Sequence, residues 1–157
     1  MEITISVIAF FLGFFLRWVI TVIKLSNDNI NNYIGNMESV LSEMQNSMVD
    51  YLAMEKDAAE LKREPLRLLL VARCQNLYSI CNKIKTLDKS NALIIPNETL
   101  TQLNQSCDAV FEDYDELRKQ GYVSKFESNY QALAMFTRGS QKLLDNYMLQ
   151  TPSLFKL

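Results

Sequence analysis

A 157-residue chain with a formal charge of −2 at neutral pH gives no broad electrostatic case for binding nucleic acid. It contains no histidine, which removes the commonest general base, the commonest metal ligand and every Ser–His or Cys–His dyad. Its glycines (Gly13, Gly35, Gly121 and Gly139) are scattered, so no phosphate-binding loop is present, and nothing in the residues asks for a cofactor.

The first element is the apolar run Ile3–Leu25, interrupted in its interior by Arg17 and flanked at its end by Lys24. About 20 helical residues cross a ~30 Å hydrocarbon core, so the run is long enough to span a bilayer. A cleaved signal peptide fits poorly. Only Met1 and Glu2 precede the run, and Ser26, Asn27, Asp28 and Asn29 come after it in place of a small-residue cleavage site. A buried helix fits poorly too: Phe10, Phe11, Leu12, Phe14, Phe15 and Leu16 surround the axis, and a domain of this size has too little surface to cover them. Residues 1–25 are therefore predicted to be a transmembrane anchor. Lys24 on one side and Glu2 on the other favour a cytoplasmic placement for residues 26–157.

Ser6, Ala9, Gly13, Arg17 and Thr21 recur every three or four residues and form one stripe of that helix. Arg17 sits near the middle of the run, where an uncompensated arginine costs roughly 2.5–3.5 kcal/mol. Two readings stand: the side chain snorkels toward Lys24 past the interfacial Trp18, or the stripe packs against another helix, with a carboxylate or water satisfying the charge.

Residues 26–157 read as one helical domain, linked through the polar tract Ser26–Asn32. Ile30, Ile34, Met37, Leu41, Met44, Met48 and Tyr51 alternate steps of four and three, a heptad seam. Pro65 is expected to end this helix and open the next, over Leu66–Leu87, with a seam of Leu70, Cys74, Leu77, Cys81 and Ile84. The stretch Leu66–Ala72 is apolar nearly all round and should be the most buried part of the domain. After a connection at Asp88–Pro96, Asn97 or Thr99 caps a third helix, with Gln102 completing a capping box. Its seam is Leu100, Leu103, Cys107, Val110, Tyr114 and Leu117, and Arg118, Lys119 and Gly121 suit its end. Ser124 and Glu127 box the start of a fourth helix. Phe126, Tyr130, Leu133, Phe136, Leu143, Leu144 and Tyr147 give that helix its apolar face, Gly139–Ser140 a kink and Pro152 its end.

The fold class expected is all-α: an N-terminal single transmembrane helix followed by an antiparallel four-helix bundle with a long first helix. A first helix running from Asp28 to Lys62 would be about 50 Å long against about 35 Å for the second and third. The surplus predicts that residues 26–50 begin as a membrane-proximal stalk whose uncovered seam pairs with a second copy or a partner.

Cys74, Cys81 and Cys107 fall on core seams. Cys74 and Cys81 are about 10.5 Å apart along one helix, too far to bond to each other, so buried structural thiols are the simpler reading over redox or metal roles. Asp108, Glu112, Asp115 and Glu116 share one face; a hard cation or a basic partner segment would fit them, and a solvated acidic face is the simpler reading. Met37, Met44, Met48 and Met54 suit a core first and an adaptable groove second.

The function expected is non-enzymatic: a single-pass membrane protein, bound to the lipid bilayer, that displays a helical bundle for protein–protein interaction. It would scaffold, tether or neutralise another membrane or membrane-proximal protein, or self-associate through the membrane helix and stalk. The alternative is a membrane-active effector whose transmembrane helices assemble through the Arg17 stripe when the bundle senses a signal.

Overall fold

The computed structural model describes residues 2–54, 56–88, 93–111 and 125–148, with side-chain surroundings for 12–54, 57–88, 93–111 and 130–148. Among the described residues there are four helices and no strand: α1 (Glu2–Ala53), α2 (Lys56–Leu87), α3 (Asn97–Ala109) and α4 (Lys125–Met148). Each of α1 and α3 packs against both α2 and α4, which closes a four-helix ring. α1 and α2 are antiparallel. Ser26 Oγ donates to the Leu87 carbonyl at 2.9 Å, Lys83 Nζ lies 5.6 Å from the Tyr33 ring, and Arg73 meets Glu43 at 2.9 Å.

The core follows the heptad seam of α1. Ile30, Ile34, Met37, Leu41, Met44 and Met48 are all buried, joined by Leu70, Leu77, Cys81 and Ile84 of α2, Leu103 and Cys107 of α3, and Phe136, Leu143 and Tyr147 of α4. The α1 seam alone contributes on the order of 10 kcal/mol before the entropy of ordering the chain is set against it.

Several expectations need correction. α1 ends at Ala53, not Lys62, and Pro65 lies inside α2. A proline there removes one backbone hydrogen bond, to the Leu61 carbonyl. Leu61 is 82% exposed, so water can satisfy that carbonyl. The earlier turn lets residues 57–64 fold back over the end of α1, where Ala59 is buried and Arg63 reaches the Phe111 carbonyl. The length surplus that implied a stalk disappears with it. Residues 26–50 pack within the bundle, as the burial of Ile30 and Ile34 shows.

The segment Leu66–Ala72 is not the most buried part. Leu70 is buried, but Leu68 is 67% exposed and Leu69 and Val71 are also open. A helix in a four-membered ring touches two neighbours and covers one stripe, however greasy the rest of its circumference. In α3 the residue before the helix is Pro96, and no side chain caps it; Gln102 instead donates to Glu98. Ahead of the helix, Asp88 accepts from the Leu93 N–H at 2.7 Å. α3 ends at Ala109. The expected contributions of Tyr114, Leu117, Arg118, Lys119, Gly121 and Ser124 lie outside the described residues, as do the side chains of Phe126 and Glu127 and all of Pro152. Tyr130 is exposed, and α4 continues without interruption through Gly139–Ser140. Ser140 Oγ donates back to the Phe136 carbonyl, while Gly139 allows close packing: a Cβ there would sit 3.0 Å from Leu103 Cδ2.

The expected transmembrane helix is not supported on hydropathy: over the described residues no helix is long and apolar enough to cross a membrane. That set takes in Leu12–Leu25, a short stretch carrying Arg17 and Lys24, and the side chains of residues 3–11 of the apolar run lie outside it.

Candidate functional site

The α1 stripe is the first candidate. Gly13, Arg17 and Thr21 are exposed, one turn apart each, and nothing lies within 4 Å of a Cβ placed on Gly13. Thr21 Oγ1 donates to the Arg17 carbonyl at 2.8 Å, which turns a polar side chain back onto its own helix. Phe15 and Trp18 lie 6.1 Å apart, ring to ring. Arg17 takes part in none of the ion pairs among the described residues. The side chains of Ser6 and Ala9, the other two members of the stripe, lie outside the described residues.

The acidic patch is represented by Asp108 alone, since Glu112, Asp115 and Glu116 lie outside the described residues. Asp108 meets Arg67 at 3.7 Å, and Arg67 also approaches Glu64 at 3.8 Å. Arg63 Nη2 donates to the Phe111 carbonyl at 2.5 Å. With Glu60, these side chains line an open cleft of about 590 Å³ between α2 and the end of α3. Two guanidinium groups among three carboxylates make it a mixed-charge surface whose excess of one negative charge is too small for a hard cation. Among the described residues no cluster of three metal-ligating side chains occurs. Sequence reasoning missed Arg63 and Arg67; their spacing of four residues, each with an acid three before it, was the available signal.

The three thiols differ in their surroundings. Cys81 and Tyr147 are both buried, and burial is the main cause that pushes each above its ordinary pKa value. Cys74 of α2 lines a groove shared with Leu100 and Asn104 of α3, and Cys107 of α3 is buried in the core. The influence of Cys107 lowers Cys74 from the usual thiol value, while that of Cys74, with burial, pushes Cys107 well above it. The sequence placed each thiol on a seam but could not set the register of one helix against another.

Comparison with protein-family models, curated proteins and solved structures finds no match to this chain.

Proposed function

We propose that this chain is a non-enzymatic, membrane-anchored helical bundle that works by protein–protein interaction at the bilayer surface. The observation that carries the reading is the contrast between the two parts of α1. From Ile30 onward its seam residues are buried, whereas Leu12, Phe14, Phe15, Leu16, Trp18, Ile20 and Leu25 are each more than half exposed, on every side of the helix. Water is a poor solvent for such a surface and lipid a good one. Glu2–Leu25 would extend about 36 Å at 1.5 Å per residue, enough for a hydrocarbon core. The full run Ile3–Leu25 supplies the apolar length that Leu12–Leu25 lacks, and Lys24 favours a cytoplasmic bundle.

Two experiments test this. Carbonate-washed membranes should retain the full chain and release it only to detergent; recovery in the wash would refute the anchor. Affinity purification in mild detergent should bring down another membrane protein in a defined ratio. The exposed Gly13–Arg17–Thr21 face favours helix association as the mode of contact. It also keeps the effector reading open: loss of membrane potential on expression, relieved by Arg17→Leu, would replace the binding module with a membrane-active one.

A further inference from the structure

The apolar run of α1 enters the bundle without a linker, since α1 is one unbroken helix from Glu2 to Ala53. Two hydrogen bonds lead from the end of that run to a loop. Ser26 Oγ, one residue past Leu25, donates to the Leu87 carbonyl at 2.9 Å. Asp88, the next residue, accepts from the Leu93 N–H at 2.7 Å. Leu93 is buried, and Ile94 beside it is 69% exposed. Ile94 is therefore held at the end of the bundle where the run emerges. The opposite end is marked by Tyr51 and Phe111, whose rings lie 5.0 Å apart near the far ends of α1 and α3.

We propose that Leu93–Pro96 is a membrane-contact loop that seats Ile94 in the headgroup layer of the bilayer and gives the bundle a second foothold beside α1. The inference rests on the reading of Glu2–Leu25 as an anchor. A helix advances about 1.5 Å per residue, and the interfacial layer on each side of the hydrocarbon is about 5–7 Å thick. With Leu25 at the edge of the hydrocarbon, Ser26 and the Leu87 carbonyl it holds stand within that layer, and the Asp88–Leu93 bond brings Ile94 to the same level. Water is a poor solvent for so open an apolar side chain and the interface a better one. The backbone of the loop suits a site short of water. The Ile95 carbonyl accepts from the Asn97 N–H at 2.9 Å, the Pro96 carbonyl accepts from the Leu100 N–H at 3.0 Å, and Pro96 has no N–H to satisfy. Among the described residues at this end, Lys24, Lys83 and Lys85 are offset by Asp28, Asp88 and Glu98, so the contact is apolar and does not select anionic lipid. A foothold off the α1 axis would fix the tilt and rotation of the bundle and present the same faces of α2 and α3 to a partner.

The test uses the full-length chain in phosphatidylcholine vesicles, with and without bromine on the upper acyl chains, where it quenches nearby tryptophan fluorescence. Trp18 is the sole tryptophan of the wild type, and its quenching reports the anchor. In a Trp18→Phe background, Ile94→Trp should emit at shorter wavelength than in water and be quenched at least twofold by the brominated lipid. Leu61→Trp, at an 82% exposed position about 39 Å along α2 from Leu87, should show neither effect. Both substitutions fall on exposed positions, and circular dichroism checks that the helices are retained. The proposal alone is overturned if the wild type is quenched and Ile94→Trp is not, or if Leu61→Trp is quenched as strongly. It falls together with the anchor if the wild type is unquenched as well. An Ile94→Trp variant shielded from aqueous acrylamide yet untouched by bromine would assign Ile94 to a protein partner and overturn the lipid contact.

Discussion

Ser26 Oγ donates to the carbonyl oxygen of Leu87 at 2.9 Å, tying the α1 residue just past the apolar run to the last residue of α2. The bond marks where the bundle stops: Ile30, one turn further, is buried, and Leu25, one residue back, is 61% exposed. A chain beginning at Ser26 is therefore expected to remain helical and monodisperse without detergent, while the full chain requires it. Ser26→Ala should cost about 0.5–1 kcal/mol, the net worth of one half-buried hydrogen bond. Circular dichroism melts and size-exclusion chromatography check both; aggregation of the shorter chain would place the boundary elsewhere.

That boundary was partly legible in the residues. The steps from Ile30 to Met48 marked the buried stripe of α1 correctly, because one face of a helix either meets a core or does not. The end of α1 was misjudged for a physical reason. Pro65 was weighed as a helix breaker, yet a proline costs little where the carbonyl it orphans points to water, as at Leu61. The exposure of Leu68 was hidden for a related reason: composition counts apolar residues, whereas burial depends on how many neighbours a helix has. That Cys74 opens onto a groove shared with α3 needed the register of two helices, which no single-helix pattern carries.

Arg17 gives a second expected outcome. In a reporter assay for membrane insertion, Arg17→Leu should favour insertion by about 3 kcal/mol, the difference between the two side chains near mid-bilayer. Should Arg17 hold a partner helix through a carboxylate, the same substitution removes the co-purifying protein while Arg17→Lys retains part of it. An unchanged partner in both variants would assign the residue to snorkelling.

Gly139 supports a packing prediction. A methyl group there meets Leu103 Cδ2 at 3.0 Å and Cγ at 3.3 Å, and Leu103 is 1% exposed within the core. Helix propensity favours alanine over glycine by about 1 kcal/mol, but overpacking a core costs about 1–3 kcal/mol. Gly139→Ala should therefore destabilise by about 1 kcal/mol and Gly139→Val by more. A stabilised alanine variant in chemical denaturation would mean that Leu103 moves freely.

Arg73 and Glu43 form an ion pair of unequal partners. The Arg73 side chain is 22% exposed and its Nη1 is buried without a hydrogen bond, while the Glu43 side chain is 57% exposed. Water screens the pair on the glutamate side, so Glu43→Ala should cost less than about 1 kcal/mol. An unsatisfied buried donor costs about 1–3 kcal/mol, so Arg73→Met should keep the packing of the stem and raise the melting temperature. A large loss in Arg73→Met would show that the charge contributes more than its orphaned nitrogen costs.

Alkaline pH should loosen the bundle from the inside. Burial first, and then the neighbouring Cys81 thiol, pushes Tyr147 up; for Cys81, burial outweighs the opposing effect of the tyrosine and the net direction is also upward. Unfolded cysteine titrates near about 8.5 and tyrosine near about 10. Below about pH 8.5 both groups are protonated whether the chain is folded or not, and their contribution to stability is intact. Above that point the unfolded chain sheds protons that the folded chain keeps, so stability falls as pH rises toward the folded values. Cys107, raised in the same direction, adds to the fall, and Cys74, which is lowered, opposes it. Thermal melts from about pH 7 to about pH 10.5 should show a declining midpoint that flattens in the Cys81→Ala, Tyr147→Phe double variant. An equal decline in both proteins would move the cause to groups outside this pair.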